Sequence, residues 1–140
     1  MLSPKKNIYI DIDGVLLTAK NIKPAEYAIE FIDFITSNFN CFWLTTHCKG
    51  DAKQTFKYLS SYFDDDTIKK LEIIKPTNWT TLKTEAIDFS TDFFWVDDFP
   101  FLAEKNILIS NQCLDKLIIV NINQSDELKR VINLLNNLHS

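Results

Sequence analysis

Glycine is nearly absent from this chain. Among 140 residues there are two, Gly14 and Gly50, against about ten at average usage. That excludes glycine-rich linkers. It also marks the two positions as places where the backbone needs a positive φ or a ligand comes close. Arginine is scarcer still, with Arg130 alone beside fourteen lysines. Together with a net charge of −4 and a pI near 5.1, this argues against a nucleic-acid partner, although a local lysine patch would still bind phosphates. No uninterrupted apolar run exceeds four residues. A transmembrane helix and the apolar core of a secretion signal are therefore not expected, nor is a membrane partner. The cysteines are three, Cys41, Cys48 and Cys113. An odd count without a secretion signal reads as reduced thiols and a cytoplasmic location.

What is present is core-forming material. Hydrophobic residues make up 46 %, with eleven Phe and three Trp, which excludes disorder. The length suits one core, hence a single domain over 1–140. The acids are unevenly divided, thirteen Asp to six Glu. Aspartate is a poor helix former that favours turns, caps and metal sites, so the choice lies between a surface rich in turns and a carboxylate-rich site.

Hydrophobic patterning gives the organisation. Residues 7–12 (NIYIDI), Cys41–Leu44 (CFWL), Phe93–Val96 (FFWV) and Leu117–Ile122 (LIIVNI) read as strands, and Leu71–Ile74 as a short one. Helices are expected over 25–39, with Pro24 in its first turn, and from a capping Asp51 to Tyr62. A short one is expected over Thr84–Phe89, and a last one follows a Ser125 cap, with Leu128, Val131, Ile132, Leu135 and Leu138 on one face. Asp64–Asp66 reads as an acidic turn. Apolar strands alternating with amphipathic helices predict an α/β fold: a three-layer, Rossmann-like, doubly wound parallel sheet with helices on both faces. Ligands of such folds bind beyond the carboxyl ends of the strands.

The strand ends carry the chemistry. The first ends in Asp11-Ile12-Asp13-Gly14, the second in Thr45-Thr46-His47-Cys48 and the third in Asp97-Asp98, with Lys83 at the start of the preceding short helix. Four carboxylates converge only if protons or a cation offset their repulsion. A hard, oxygen-loving cation does so, and Mg²⁺ is the usual one beside phosphate.

In family order, these segments resemble the four motifs of the haloacid dehalogenase (HAD) superfamily of phosphotransferases. Ile8–Val15 resembles the apolar strand followed by DxDGV. Phe42–Thr45 is similar to the strand ending in Thr or Ser, Lys83 to the motif lysine (with Lys75 as its rival), and Phe94–Asp98 to the paired-aspartate motif. The resemblance implies a HAD-like fold and an Mg²⁺-dependent phosphohydrolase. Asp11 would be the nucleophile, forming an aspartyl-phosphate, and Asp13 the general acid and base. Thr45 and Lys83 would bind the phosphoryl group. Asp11, the Asp13 main-chain carbonyl, Asp97 and Asp98 would hold the metal, with the choice between Asp97 and Asp98 as direct ligand left open.

Length bears on the substrate. Family members acting on small metabolites usually carry a cap domain, inserted after the first motif or between the second and third. Here 31 residues separate Asp13 from Thr45 and 37 separate Thr45 from Lys83, room for the expected elements and a flap at Val15–Lys23 but not for a cap. The expected site is open, suited to a phosphorylated protein or polymer, or covered by another subunit.

Other readings compete. His47–Thr55 resembles the HCxxGxxR(S/T) loop of cysteine-dependent phosphatases, but Gln54 stands where that loop needs arginine. A neutral amide does not grip phosphate as a guanidinium fork does. A response-regulator receiver uses Asp, Thr and Lys in a different order. The non-enzyme alternative is a HAD-like module that binds a phosphorylated or protein partner, with Trp79, Phe99 and Phe101 as a contact patch. Against it, a binding module has no need of both Asp11 and Asp13.

Overall fold

A computed structural model describes residues 4–48 and 50–139. Lys49, within the cysteine-containing loop, lies outside the described residues. Four parallel strands form the sheet: β1 (Asn7–Ile10), β2 (Asn40–Trp43), β3 (Phe93–Asp97) and β4 (Leu117–Ile119), in the order β2-β1-β3-β4. Ile10 faces Trp43 on one side and Val96 on the other. The chain leaves β1 towards β2 and later returns to β3 on the opposite side. The carboxyl ends of β1 and β3 therefore flank the point where the strand order reverses, the usual ligand crevice of such sheets.

Five α-helices are described: α1 (Ala28–Asn38), α2 (Lys53–Leu59), α3 (Asp65–Leu71), α4 (Leu102–Ser110) and α5 (Glu127–His139). Alternation along β1 separates two cores. Ile8 and Ile10 enter a cluster with Phe31, Ile32 and Ile35 of α1, Leu71 of α3, and Leu128, Val131 and Leu135 of α5. Tyr9 enters a second cluster with Leu44, Ile87, Phe93, Trp95 and Leu108 of α4. Each cluster is apolar on the strand side that faces it, which is why the strands read as continuous apolar runs.

Several expected elements need correction. The first strand stops at Ile10, because the Ile12 carbonyl collects the N–H groups of Val15, Leu16 and Leu17 at 3.2, 2.8 and 3.1 Å and turns the chain. Pro24 is not in a helix. It pairs with Leu17 across the flap, and Tyr27 is left-handed (φ 64°), so α1 starts at Ala28. Asp64–Asp66 is no turn but the start of α3. Asp64 Oδ1 accepts the Thr67 N–H at 2.8 Å, and Asp65 and Asp66 sit in the first turn, where negative charge suits the helix dipole. Leu71–Ile74 closes that helix rather than forming a strand, and only Lys75 bridges to Phe42 of β2. The short helix is a 3-10 turn over Lys83–Ala86. β4 ends at Ile119, and α5 begins at Glu127, after a left-handed Asp126. Helix α4 was not expected at all.

Candidate functional site

Asp11 is the first residue after β1. Its backbone N–H reaches the Val96 carbonyl at 3.3 Å, continuing the sheet by one bond. Asp97 is the last residue of β3 and is almost wholly buried, while Asp11 is nearly so. Adjacent parallel strands thus deliver two carboxylates to one point. Between them stands Lys83, with Nζ 2.8 Å from Asp11 Oδ2 and 2.7 Å from Asp97 Oδ2. The remaining oxygens are fixed by the backbone. Asp11 Oδ1 accepts the Ile12 N–H at 2.7 Å, and Asp97 Oδ1 accepts the Phe99 N–H at 3.1 Å. Asp98 completes a group in which one oxygen from each of Asp11, Asp97 and Asp98 lies within 4.8 Å of the others.

A residue that sequence reasoning missed sets Lys83 in place. Buried Glu104, in the first turn of α4, accepts the Lys83 backbone N–H at 2.7 Å through Oε2 and the Phe101 N–H at 2.8 Å through Oε1. One carboxylate caps α4 and ties it to the turn that carries the lysine. Its position three residues into a helix, as in a capping box, was the available signal.

The charges act on one another. Burial, then the Asp97 carboxylate, raise the Asp11 carboxyl above its ordinary range against the opposing pull of Lys83. Burial alone would lower the Lys83 ammonium, but Asp11 and Asp97 outweigh it and the net direction is up. Asp98 is pushed up to about 6 by burial of its inner side, then by hydrogen bonding to Asp97 and repulsion from Asp97 and Asp11. Gly14 is left-handed (φ +79°), and its α-carbon packs against the Asp98 carboxylate where a β-carbon would collide. The scarce glycine serves both the turn and the close approach.

Asp13 goes elsewhere. Its carboxylate pairs with His47, Nε2 to Oδ2 2.7 Å, and accepts the Tyr58 hydroxyl on Oδ1 at 3.3 Å. These partners come from the loop after β2 and from α2, whose distance along the chain hid them. Thr45 is fully buried at the end of β2, and its Oγ1 accepts the His47 N–H at 3.3 Å. Lys75 lies apart from the carboxylates, with Nζ over the Phe42 ring, so Lys83 is the lysine placed with Asp11. The Cys48 thiol is buried and donates to the Asp51 carbonyl at 3.6 Å. Burial also pushes its pKa up, opposite to the need of a nucleophilic thiolate. Phe99 and Phe101 are exposed beside Asp98 and line a recess of about 370 Å³, whereas Trp79 packs against the second core cluster.

No helix among the described residues is long and apolar enough to cross a membrane. Comparison with models of protein families, with curated proteins and with solved structures returned no match to this chain.

Proposed function

We propose that this chain is an Mg²⁺-dependent phosphohydrolase with a three-layer HAD-like fold and no cap domain, working through an aspartyl-phosphate on Asp11. The observation that carries the reading is the Asp11–Lys83–Asp97 bridge at the ends of β1 and β3, with Asp98 alongside. One ammonium offsets three carboxylates only in part. The donors are all hard oxygens, the set that suits Mg²⁺. Asp11, Asp97 and Asp98, with the Asp13 carbonyl, would hold the cation. When bound, it supplies charge neutralisation on the phosphoryl oxygens.

The protein groups take the remaining roles. Ile12 N–H and Lys83 fix the Asp11 carboxylate for attack on phosphorus. The Asp11–phosphorus bond forms, the bond to the leaving oxygen breaks, and Asp13 gives that oxygen a proton. Water then attacks phosphorus, Asp13 takes its proton, and Asp11 is released. Lys83 and the Thr45 hydroxyl stabilise the equatorial oxygens in both steps. The recess lined by Phe99 and Phe101 beside Asp98 suits a substrate whose organic group is large or lies on a macromolecule.

Hydrolysis of an aryl phosphate tests this. It should require Mg²⁺, stop with chelator, vanish in Asp11→Asn and persist in Cys48→Ser. Turnover that survives Asp11→Asn and dies with Cys48→Ser would assign the reaction to the cysteine. No turnover across a broad phosphoester panel, with Mg²⁺ still bound, would assign the chain to phosphate or protein binding instead.

A further inference from the structure

Asp13 is half exposed, yet both of its carboxylate oxygens are held. An exposed aspartate ordinarily samples several rotamers in water. Here the side chain that holds it is itself built in. The His47 N–H is bound by Thr45 Oγ1, and its carbonyl accepts the buried Thr55 hydroxyl at 2.8 Å. Tyr58, one turn further along α2, lays its ring on the His47 imidazole, 4.4 Å between centroids and 14° from parallel. Tyr62 packs edge-on behind Tyr58 at 5.5 Å. The imidazole is thus pinned through its backbone and one ring face, with Nε2 presented to Asp13.

From this arrangement we infer that His47 and Tyr58 are positioning residues for Asp13. They hold its carboxylate away from the Asp11–Asp97–Asp98 group and in one orientation for proton transfer. The inference rests on the phosphohydrolase reading proposed above. Asp13 sits two residues from Asp11, and a free rotamer would bring a fourth negative charge towards three others. A proton donor also loses efficiency steeply when misplaced, about a hundredfold for a 1 Å error in reacting geometry. A surface ion pair alone would matter little to stability, so the effect belongs in the reaction rather than in the fold.

Leaving groups separate positioning from mere structure. A nitrophenolate departs without a proton, whereas an alkoxide needs one. The measurement is kcat/KM, which reports the first phosphoryl transfer, for p-nitrophenyl phosphate and for a simple alkyl phosphate, with Mg²⁺. His47→Ala should lower the alkyl value about 10- to 100-fold and the nitrophenyl value less than about threefold. His47→Gln, whose amide N–H reaches the same place, should recover most of the alkyl rate. Tyr58→Phe keeps the stacked ring and loses the hydroxyl. It should fall between wild type and His47→Ala, and it carries the comparison if His47→Ala does not fold. Equal losses on both esters, or no loss in a folded variant, would overturn the inference while leaving the phosphohydrolase reading intact. A wild-type chain without Mg²⁺-dependent turnover of either ester would overturn both.

Discussion

Replacing Lys83 with methionine removes one charge from between two buried carboxylates and keeps most of the apolar stem. The exposures are low: 14 % for the Lys83 side chain, 12 % for Asp11 and 2 % for Asp97. Solvent screening is therefore weak. Breaking a buried ion pair by removing one partner typically costs about 3–5 kcal/mol. The lower end applies here, because Asp11 is already held above its ordinary range and takes up a proton readily. About 3 kcal/mol corresponds to a fall in Tm of roughly 10 °C for a chain of this size. The sign with pH follows from Asp11. Its folded-state pKa is raised, so its protonated form favours folding, and that contribution fades as pH rises from the usual 3.8 through the raised value. Removing Lys83 pushes Asp11 further up. The loss should be smaller near pH 5 than near pH 7.5, because acid favours the neutral form of Asp11, while Asp97 loses its ammonium partner at either pH. Thermal unfolding by circular dichroism with chelator present, at both pH values, reads this directly. A Lys83→Met Tm within about 2 °C of wild type near pH 7.5, or a difference independent of pH, would mean that Lys83 does not offset the charge of the two buried carboxylates.

Further outcomes follow from the same geometry. Gly14→Ala should be destabilised by about 1–2 kcal/mol from backbone strain alone. It should also bind Mg²⁺ more weakly by calorimetry, because the added carbon displaces Asp98. The Mg²⁺-induced rise in Tm should be larger near pH 7.5 than near pH 5, where Asp98, pushed up to about 6, holds a proton that competes with the cation. Asp98→Asn should flatten that difference. Alkylation followed by mass spectrometry should label half-buried Cys113 first and leave Cys41 and Cys48 unmodified until denaturant is added. Both are buried, and Cys41 is pushed up to about 12 by desolvation.

The parts of the fold legible in the sequence are those where side-chain pattern and burial coincide. NIYI, FFWV and the CFW of CFWL lie on strands because both of their faces are covered, while β2 begins one residue earlier, at Asn40, and ends before Leu44. The DxDG turn, Lys83 and Asp97-Asp98 were legible because each ends or follows a strand, or opens a turn, at the edge where sheets of this kind ordinarily bind ligands. Helix α4 was not, because its apolar residues do not fall on one face: Leu108 is buried, while Leu102 and Ile109 are exposed. Its fixing group is Glu104, an acid buried by two backbone N–H groups, which no hydrophobic period marks. Helix α3 was hidden by its own capping, since three aspartates in a row read as a turn until the Thr67 N–H is seen to point at the first. The His47–Tyr58 hold on Asp13 joins three separate segments, a contact decided by packing rather than by any local pattern.

Asp11 is proposed to carry the phosphoryl group. Incubation with an aryl phosphate and Mg²⁺, acid quenching and peptide mass spectrometry would test it most directly. The expected result is the mass of one phosphoryl group on the peptide containing Asp11, removed by hydroxylamine as an acyl phosphate requires and missing from Asp11→Asn. Turnover with the label on Cys48, or with Asp11→Asn as active as wild type, would contradict it.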